Sequence, residues 1–375
     1  MRIAVITNSR IPSLTANSIQ AMKMCDAFSQ LGNELRVFAP AETNPVAWSE
    51  LSKHYGLRHP FQIDWLPSNR SFRRFDFIWY AQSASRKFKA DLIHTWLPQS
   101  AVFGLWYSPR VILEMHANTA GVFGAWWLRQ FWKKDGRKRL LVTTQALWKA
   151  LERSTRLIFP AEEMQVAPNG VDPERYTDIP EPADARRQLN LKEGATVGFT
   201  GHFYAGRGMD LLFELARSMP KVNFLWAGGT PEAVAEWQIK LNSVRASNVT
   251  LTGFIDNSRL PLVQAAADIL LMPYGNSISS SSGQDIAEVI NPMKMFEYMA
   301  TGRAIISADL PVIREVLDDE QAVFCEPGEA TAWKSAIEGL LGNEKRRKLL
   351  GVRVKEESKK HTWLARAEAA LRGME

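Results

Sequence analysis

Apolar and polar positions vary along this chain on two scales. Short, mostly apolar runs read as buried strands: RIAVIT (2–7), ELRVFAP (34–40), ADLIHTW (90–96), RVILEMHA (110–117) and LLVTT (140–144). Between them lie stretches with apolar residues three and four apart, the spacing of helices. The clearest covers 17–31, with Asn17 or Ser18 as its cap and Gly32 as its stop. Further helices are predicted near 46–56, at 78–89, from Gln99, through the Trp-rich basic stretch and at 146–154. Residues 61–66 and 164–168 (MQVAP) add strands. The polar, Pro-containing segment 177–190 (TDIPEPADARRQLN) reads as a linker. Strands resume at 196–201 (TVGFTG), 222–229 (VNFLWAGG), 248–255 (NVTLTGFI), 268–274 (DILLMPY), 303–307 and 322–325. Helices are predicted at 311–317, 329–341 and 361–373. Strand–helix alternation on both sides of a linker predicts an α/β protein of two doubly wound, mostly parallel sheets.

The most completely specified element is NPMKMFEYMATG (291–302). Asn291 is a good N-cap, Pro292 suits the first helical position, and Gly302 supplies a left-handed stop. Met295, Phe296 and Met299 should face a core, with Lys294, Glu297, Tyr298 and Thr301 on the opposite side. The positive end of this helix, at Asn291, Pro292 and Met293, is free for an anion. Glu297 lies six residues past the cap, roughly 8–9 Å along the axis at about 1.5 Å per residue. A nucleoside diphosphate with its phosphates at the helix start would bring its ribose hydroxyls to that carboxylate. The plain alternative is a solvated Lys/Glu pair on an ordinary amphipathic helix.

Composition narrows the classes. The chain has 375 residues, enough for two domains, and is 46% hydrophobic and 23% charged, as in soluble globular proteins. No apolar run approaches a membrane span, and MRIAVITNSR reads as a first strand, not a signal peptide. Two distant cysteines, Cys25 and Cys325, form neither a metal motif nor a disulfide framework, so a cytoplasmic location is expected. Most of the net +6 charge sits in RQFWKKDGRKR (129–139), inside a Trp-rich region. Trp beside Lys and Arg suits an anionic membrane surface, and residues 126–139 are the candidate contact. A core helix with a solvated face is the competing reading.

Candidate chemistry lies at strand ends, where doubly wound sheets bind ligands. The loop 9–18 lacks a Gly-x-Gly-x-x-Gly signature, yet the backbone N–H groups at Asn17 and Ser18 could meet a phosphate. His116 ends a strand, where a lone His is more often structural. Asn169 lies in the turn PNGVD (168–172), and Arg207 sits between Gly206 and Gly208. GNSISSSSGQDIAEVI (275–290) is a long polar loop of the kind that serves function. No Asp-x-Asp or other carboxylate cluster marks a metal site, so no metal or cofactor is expected.

The 291–302 string resembles the SP-x-K-x-FEYMA-x-G signature of the retaining glycosyltransferases of glycosyltransferase family 4, with Asn291 in place of Ser. The resemblance implies the GT-B fold: two Rossmann-like domains facing across a cleft, with a final helix crossing back to the first. Domains at 1–176 and 191–355, a linker at 177–190 and a C-terminal helix in 356–375 follow from it. It implies that Glu297 grips the donor ribose and that the strand-end His116 contacts the donor sugar. Arg207 and Gly208 match the diphosphate-binding pair. His202 stands where relatives carry an Arg, and Asn17 and Ser18 stand where they carry a Gly pair. Backbone at Phe254 and Ile255 would read the base, and Lys294 would help hold the diphosphate. Relatives carry another glutamate eight positions earlier, with seven residues between the two; here that position is Val289, and Glu288 lies one place away. If Glu288 sits in a loop, the offset can be absorbed, with Asp285 as a lesser candidate.

The implied activity is transfer of a hexose from a nucleotide-sugar, UDP-glucose foremost, to a glycan or lipid-linked acceptor with retention and without metal. Its rivals are a nucleotide-sugar epimerase of the same fold and a non-catalytic binder of nucleic acid or anionic lipid. Nucleic acid is not expected as a partner.

Overall fold

The computed structural model describes residues 1–42, 45–72, 74–108, 110–119, 121–279 and 283–375. The chain divides into two compact units. The first comprises Met1–Asn169, Val289–Asn291 and Trp363–Glu375; the second comprises Gly170–Glu288 and Pro292–Thr362.

In the first unit, the elements run β1 (Arg2–Ile6), α1 (Ala16–Gln30), β2 (Glu34–Pro40), α2 (Trp48–Tyr55), β3 (Gln62–Leu66), α3 (Phe75–Lys87), β4 (Leu92–Thr95) and α4 (Pro98–Gly104). They continue with β5 (Arg110–Met115), α5 (Gly121–Lys133), β6 (Arg137–Val142), α6 (Gln145–Thr155) and β7 (Met164–Val166). All seven strands are parallel, in the order β3-β2-β1-β4-β5-β6-β7. Ile3, Val5, Ile93, Ile112 and Leu141 are fully enclosed because helices cover both faces of the sheet.

The second unit has α7 (Pro182–Gln188), β8 (Thr196–Thr200), α8 (Met209–Ser218), β9 (Asn223–Ala227), α9 (Pro231–Ser243), β10 (Val249–Gly253), α10 (Leu260–Ala265) and β11 (Ile269–Met272). Then come α11 (Met293–Thr301), β12 (Ala304–Ala308), β13 (Ala322–Cys325), α12 (Ala330–Gly342) and α13 (Glu344–Ser358). Its six parallel strands run β10-β9-β8-β11-β12-β13. The last helix, α14 (Trp363–Leu371), belongs to the first unit and packs on α1. In both sheets the chain reverses its direction of growth beside the first strand, the topological switch point where such sheets bind ligands.

Several expectations change. The segment 177–190 contains α7, held by Arg186, which donates to the Ala266 carbonyl and to Asp268. The segment 311–317 is a set of turns and not a helix. Helix α1 is capped by Thr15, which accepts the Ser18 N–H, and not by Asn17 or Ser18. Gln20, Lys23 and Asp26 of α1 are buried, each with a partner: Glu114, the Gly56 carbonyl, and the Arg58 and His59 amides. Both cysteines are free and buried. Among the described residues, no helix is long and apolar enough to cross a membrane.

Candidate active site

The site of the second unit forms where the loops after β8 and β11 diverge. The β8 loop, residues 201–208, is pinned to the β11 loop by backbone bonds: the Gly275 N–H donates to the Gly206 carbonyl at 3.0 Å and the Ser279 N–H to the Ala205 carbonyl at 3.2 Å. The approach requires glycine. Gly206 and Gly208 have φ of +77° and +84°, and a Cβ on either would fall 1.9 Å from a carbonyl oxygen, of Ser277 and Pro273 respectively.

This clamp places Arg207 against Tyr274, with its Cζ 5.5 Å from the ring centroid. Lys294, in the first turn of α11, reaches the same ring at 5.4 Å and lies over Phe199 at 3.8 Å. Arg207 Nε and Lys294 Nζ are buried without a hydrogen-bond partner, and the Tyr274 hydroxyl is buried against Arg207. Buried polar groups are normally satisfied, so two unpartnered cationic nitrogens at one place suit a ligand rich in acceptor oxygens. Burial, reinforced by Arg207 and opposed by Glu297, pushes the Lys294 pKa well below its ordinary value. His202 stacks on Tyr204, its ring 4.8 Å away and nearly parallel.

The helix itself differs from its sequence pattern. Asn291 does not cap it; Pro292 occupies the cap position without a side-chain cap bond. Asn291 lies in the first unit, where its Oδ1 accepts the Asn169 N–H at 2.7 Å and its carbonyl accepts from Asn169 Nδ2 at 2.6 Å. Tyr298 and Thr301 are not on a solvated face: both are buried, and the Tyr298 hydroxyl accepts the Thr200 N–H at 2.7 Å. Helix α11 is enclosed on most sides because α10 and α13 pack on it. Glu297 is half-buried, its Oε2 accepting from Gln264 Nε2 at 3.0 Å, while Gln264 Oε1 accepts the Tyr176 hydroxyl. Gln264 thus positions the carboxylate, a role that no spacing in the sequence announces.

Phe254 and Ile255 follow β10, with Phe254 exposed and Ile255 packed on the core beside α10. Asp285 is engaged, accepting the Ile278 and Ala287 N–H groups at 3.0 Å. Glu288 is exposed, and its neighbours Val289 and Ile290 are buried. Part of the serine-rich loop, 280–282, lies outside the described residues. Among the described residues, no three His, Cys, Asp or Glu side chains group as metal ligands.

In the first unit, Asn17 is exposed at the start of α1, while Ser18 is buried with its hydroxyl donating to the Ser13 and Thr15 carbonyls. The Ser18 N–H is also committed, to Thr15. His116, just past β5, donates Nε2–H to Glu114 at 2.5 Å. Glu114 is the hub of a buried network with Gln20, His94 and Arg366. No spacing in the sequence announces it, because these partners come from three separate elements, α1, β4 and α14.

The basic run 129–139 does not form one face. Arg129 donates to the Thr155 carbonyl, and Arg137 to the Glu375 carbonyl. Lys138 donates to the Trp132 and Lys134 carbonyls, and Arg139 to those of Ala369 and Ala370 at the end of α14. Arg137–Arg139 belong to β6, and only Lys133 and Lys134 stand beside the aromatic surface. There a recess of about 370 Å³ is lined by Phe103, Trp106, Trp126, Trp127 and the two lysines. Trp106 in its lining is 55% exposed, and Trp79 of α3 and Val122 and Phe123 of α5 are 67%, 81% and 72% exposed.

Two parallel Rossmann-like sheets with a last helix returned to the first unit define the GT-B class. Solved structures agree on the fold: Anabaena HepE in complex with UDP-glucose aligns at TM-score 0.75 and 15% identity, over 100% of this chain and 99% of that one. WaaG, a glycosyltransferase involved in lipopolysaccharide biosynthesis, aligns at 0.68 and 14% over 99% of each. Residues 194–343 match the glycosyl transferases group 1, and residues 18–175 match Glycosyltransferase Family 4. The chain belongs to this glycosyltransferase family. Bacillus subtilis TuaH, named as a teichuronic acid biosynthesis glycosyltransferase, is 26% identical over 191 residues, 51% of this chain and 46% of TuaH. A D-inositol 3-phosphate glycosyltransferase of Xylanimonas cellulosilytica is 27% identical over 56% of this chain and 50% of its own. The chain spans about half the length of these relatives.

Proposed function

We propose that this protein transfers a hexose from a nucleotide-sugar to a hydroxyl of a glycan or lipid-linked acceptor, with retention of configuration and without a metal ion. The observation that carries the reading is the convergence of Arg207 and Lys294, each with an unpartnered buried nitrogen, on Tyr274 at the switch point, with Glu297 three residues beyond Lys294. In this account Glu297 receives the ribose hydroxyls. Arg207, Lys294 and the free N–H groups at Met293 and Lys294 receive the diphosphate. Backbone at Phe254 and Ile255 meets the base, and His116 and Glu288 meet the sugar. His202 and Asn17 border the phosphates, and Ser18 contributes only through the shape of its loop.

As the bond from the anomeric carbon to phosphate oxygen breaks, negative charge gathers on the leaving diphosphate. Arg207 and Lys294 stabilise it in a site from which water is largely excluded. The departing phosphate oxygen takes the acceptor proton as the acceptor oxygen bonds the same face of the sugar, which gives retention. UDP-glucose is the favoured donor, in keeping with its presence in the related HepE structure.

The acceptor is proposed to be presented at an anionic membrane. The support is the exposed aromatic surface of α3, α4 and α5 with Lys133 and Lys134 at its recess. Exposed apolar side chains of this kind suit an interaction surface, and rings beside lysines suit headgroup depth. The location is then the inner surface of the cytoplasmic membrane. Incubation with UDP-glucose and candidate acceptors tests the activity. The expected result is UDP release and a new glycoside, both dependent on acceptor and unchanged by EDTA. Conversion of the donor to an epimer without acceptor would refute transfer.

A further inference from the structure

We propose that Glu114 is a positioning residue for His116: its carboxylate holds the proton of Nε2, so that Nδ1 is the ring atom presented to a hydroxyl of the donor sugar. The inference rests on the reading of His116 as a sugar contact given above.

Glu114 is the penultimate residue of β5 and His116 follows the strand directly, and the hydrogen bond between them places both side chains together. Glu114 is 0% exposed. Its Oε1 receives Gln20 Nε2 at 2.5 Å, His116 Nε2 at 2.5 Å and an Arg366 guanidinium nitrogen at 2.6 Å. Its Oε2 receives His94 Nε2 at 3.0 Å and the other Arg366 nitrogen at 3.3 Å. Five donors meet a group with about four lone-pair sites, so no capacity is left for a further donor. Burial alone would raise the Glu114 pKa, but Arg366 and the two histidine donors outweigh it and hold the pKa well below the usual carboxylate value.

An ionised carboxylate only accepts. Both imidazoles therefore carry hydrogen on Nε2, and in the neutral ring the lone pair is left on Nδ1. For His94 that atom is buried without a partner, and burial pushes the pKa of the ring down. His94 is a closed structural member of the cluster. His116 differs in being 21% exposed at its side chain, so its free ring atom has somewhere to act. Charge is balanced, since the Arg366 guanidinium neutralises Glu114. With Nε2–H held on Glu114, Nδ1 of His116 is presented in a fixed orientation. Arg366 is itself anchored by the Ala167 and Pro168 carbonyls, so the returning helix α14 sets the tautomer of a residue far from it in sequence.

The test is a long-range proton–nitrogen NMR correlation on full-length protein labelled at histidine nitrogen, with His116 assigned by its loss in His116→Gln. Wild type should show His116 protonated at Nε2 and bare at Nδ1. Glu114→Gln should mix the tautomers and lower kcat about tenfold or more, with free UDP binding unchanged. Because that change strands a buried guanidinium, the double variant Glu114→Gln/Arg366→Met removes both charges and should show the same mixture. A bare Nε2 in wild type, or a tautomer unmoved in both variants, overturns the proposal. A tautomer that shifts with kcat unaltered upholds the hold by Glu114 and removes His116 from the sugar site.

Discussion

Replacing Gly206 with Ala tests whether the clamp between the β8 and β11 loops builds the diphosphate site. The added Cβ would lie 1.9 Å from the Ser277 oxygen and 2.8 Å from the Ile278 Cα, where ordinary contact begins at 3.4 Å. Both obstacles are backbone, so no rotamer change relieves them, and the loops must part by about 1.5 Å. The left-handed φ adds about 1–2 kcal/mol. Loss of the Gly275 and Ser279 backbone bonds adds about 1 kcal/mol each. A total of roughly 3–4 kcal/mol leaves a domain with the usual reserve folded. Arg207, next in the chain, moves with the loop. Misplacement of a positioning group by about 1 Å can cost about 100-fold in rate. Steady-state kinetics on UDP-glucose should show kcat/KM reduced by about that factor, with a lowered but cooperative thermal transition. Gly339→Ala in exposed helix α12, where a Cβ meets nothing within 4 Å, is the control. It should gain about 1 kcal/mol of stability with unaltered kinetics. A Gly206→Ala protein with wild-type kcat/KM would refute the clamp as a functional device.

The two carboxylates should separate by readout. Glu297→Ala removes a charge-assisted acceptor of about 1.5–3 kcal/mol, so donor KM should rise by about 10- to 150-fold. Glu288→Gln should lower kcat while UDP binds normally, and a silent Glu288→Gln would leave the sugar to the backbone of 289–291. Lys294 has a depressed folded pKa, so the unfolded chain binds its proton more readily. Its contribution to stability therefore falls as pH drops from the unfolded value of about 10.4 toward the folded one. A diphosphate favours the charged form, so UDP binding should take up a proton over the pH range between the Lys294 pKa values of the free and the bound protein. Calorimetry in buffers of different ionisation enthalpy reads this, and buffer-independent heats equal to those of Lys294→Met would contradict it. In flotation with anionic liposomes, Lys133→Gln/Lys134→Gln should weaken binding about 30-fold at about 1 kcal/mol per lysine. Arg137→Gln/Lys138→Gln should change little, since those side chains are spent on carbonyls, and equal losses from both pairs would be evidence against a face centred on the recess.

What the sequence disclosed, and what it hid, follows from the range of the interactions. Strands such as β8 and β11 are legible because burial on both faces leaves continuous apolar runs. The placements of Glu297 on a helix and of Arg207 in a glycine-flanked loop are legible because both elements fix local geometry. Asn291 looks like a cap by every local rule, but Asn169, 122 residues away, takes its side chain. Tyr298 looks solvent-facing by helical period, yet the Thr200 amide needs its hydroxyl. The Glu114 network joins α1, β4, β5 and α14, so no spacing could reveal it. The pairing within the basic run was hidden for the same reason: Arg129, Arg137 and Arg139 donate to carbonyls far along the chain.

The central claim is that the second unit holds the nucleoside diphosphate of a sugar donor at Arg207, Lys294 and Glu297. It is tested most directly by thermal unfolding of the wild-type protein against a panel of nucleotide-sugars and their nucleoside diphosphates. A ligand at about 100 times its Kd should add about 2.7 kcal/mol of stability. The account predicts a clear upward shift with UDP and UDP-glucose that is lost in Glu297→Ala. No shift with any nucleotide or nucleotide-sugar, or an undiminished shift in Glu297→Ala, would contradict it.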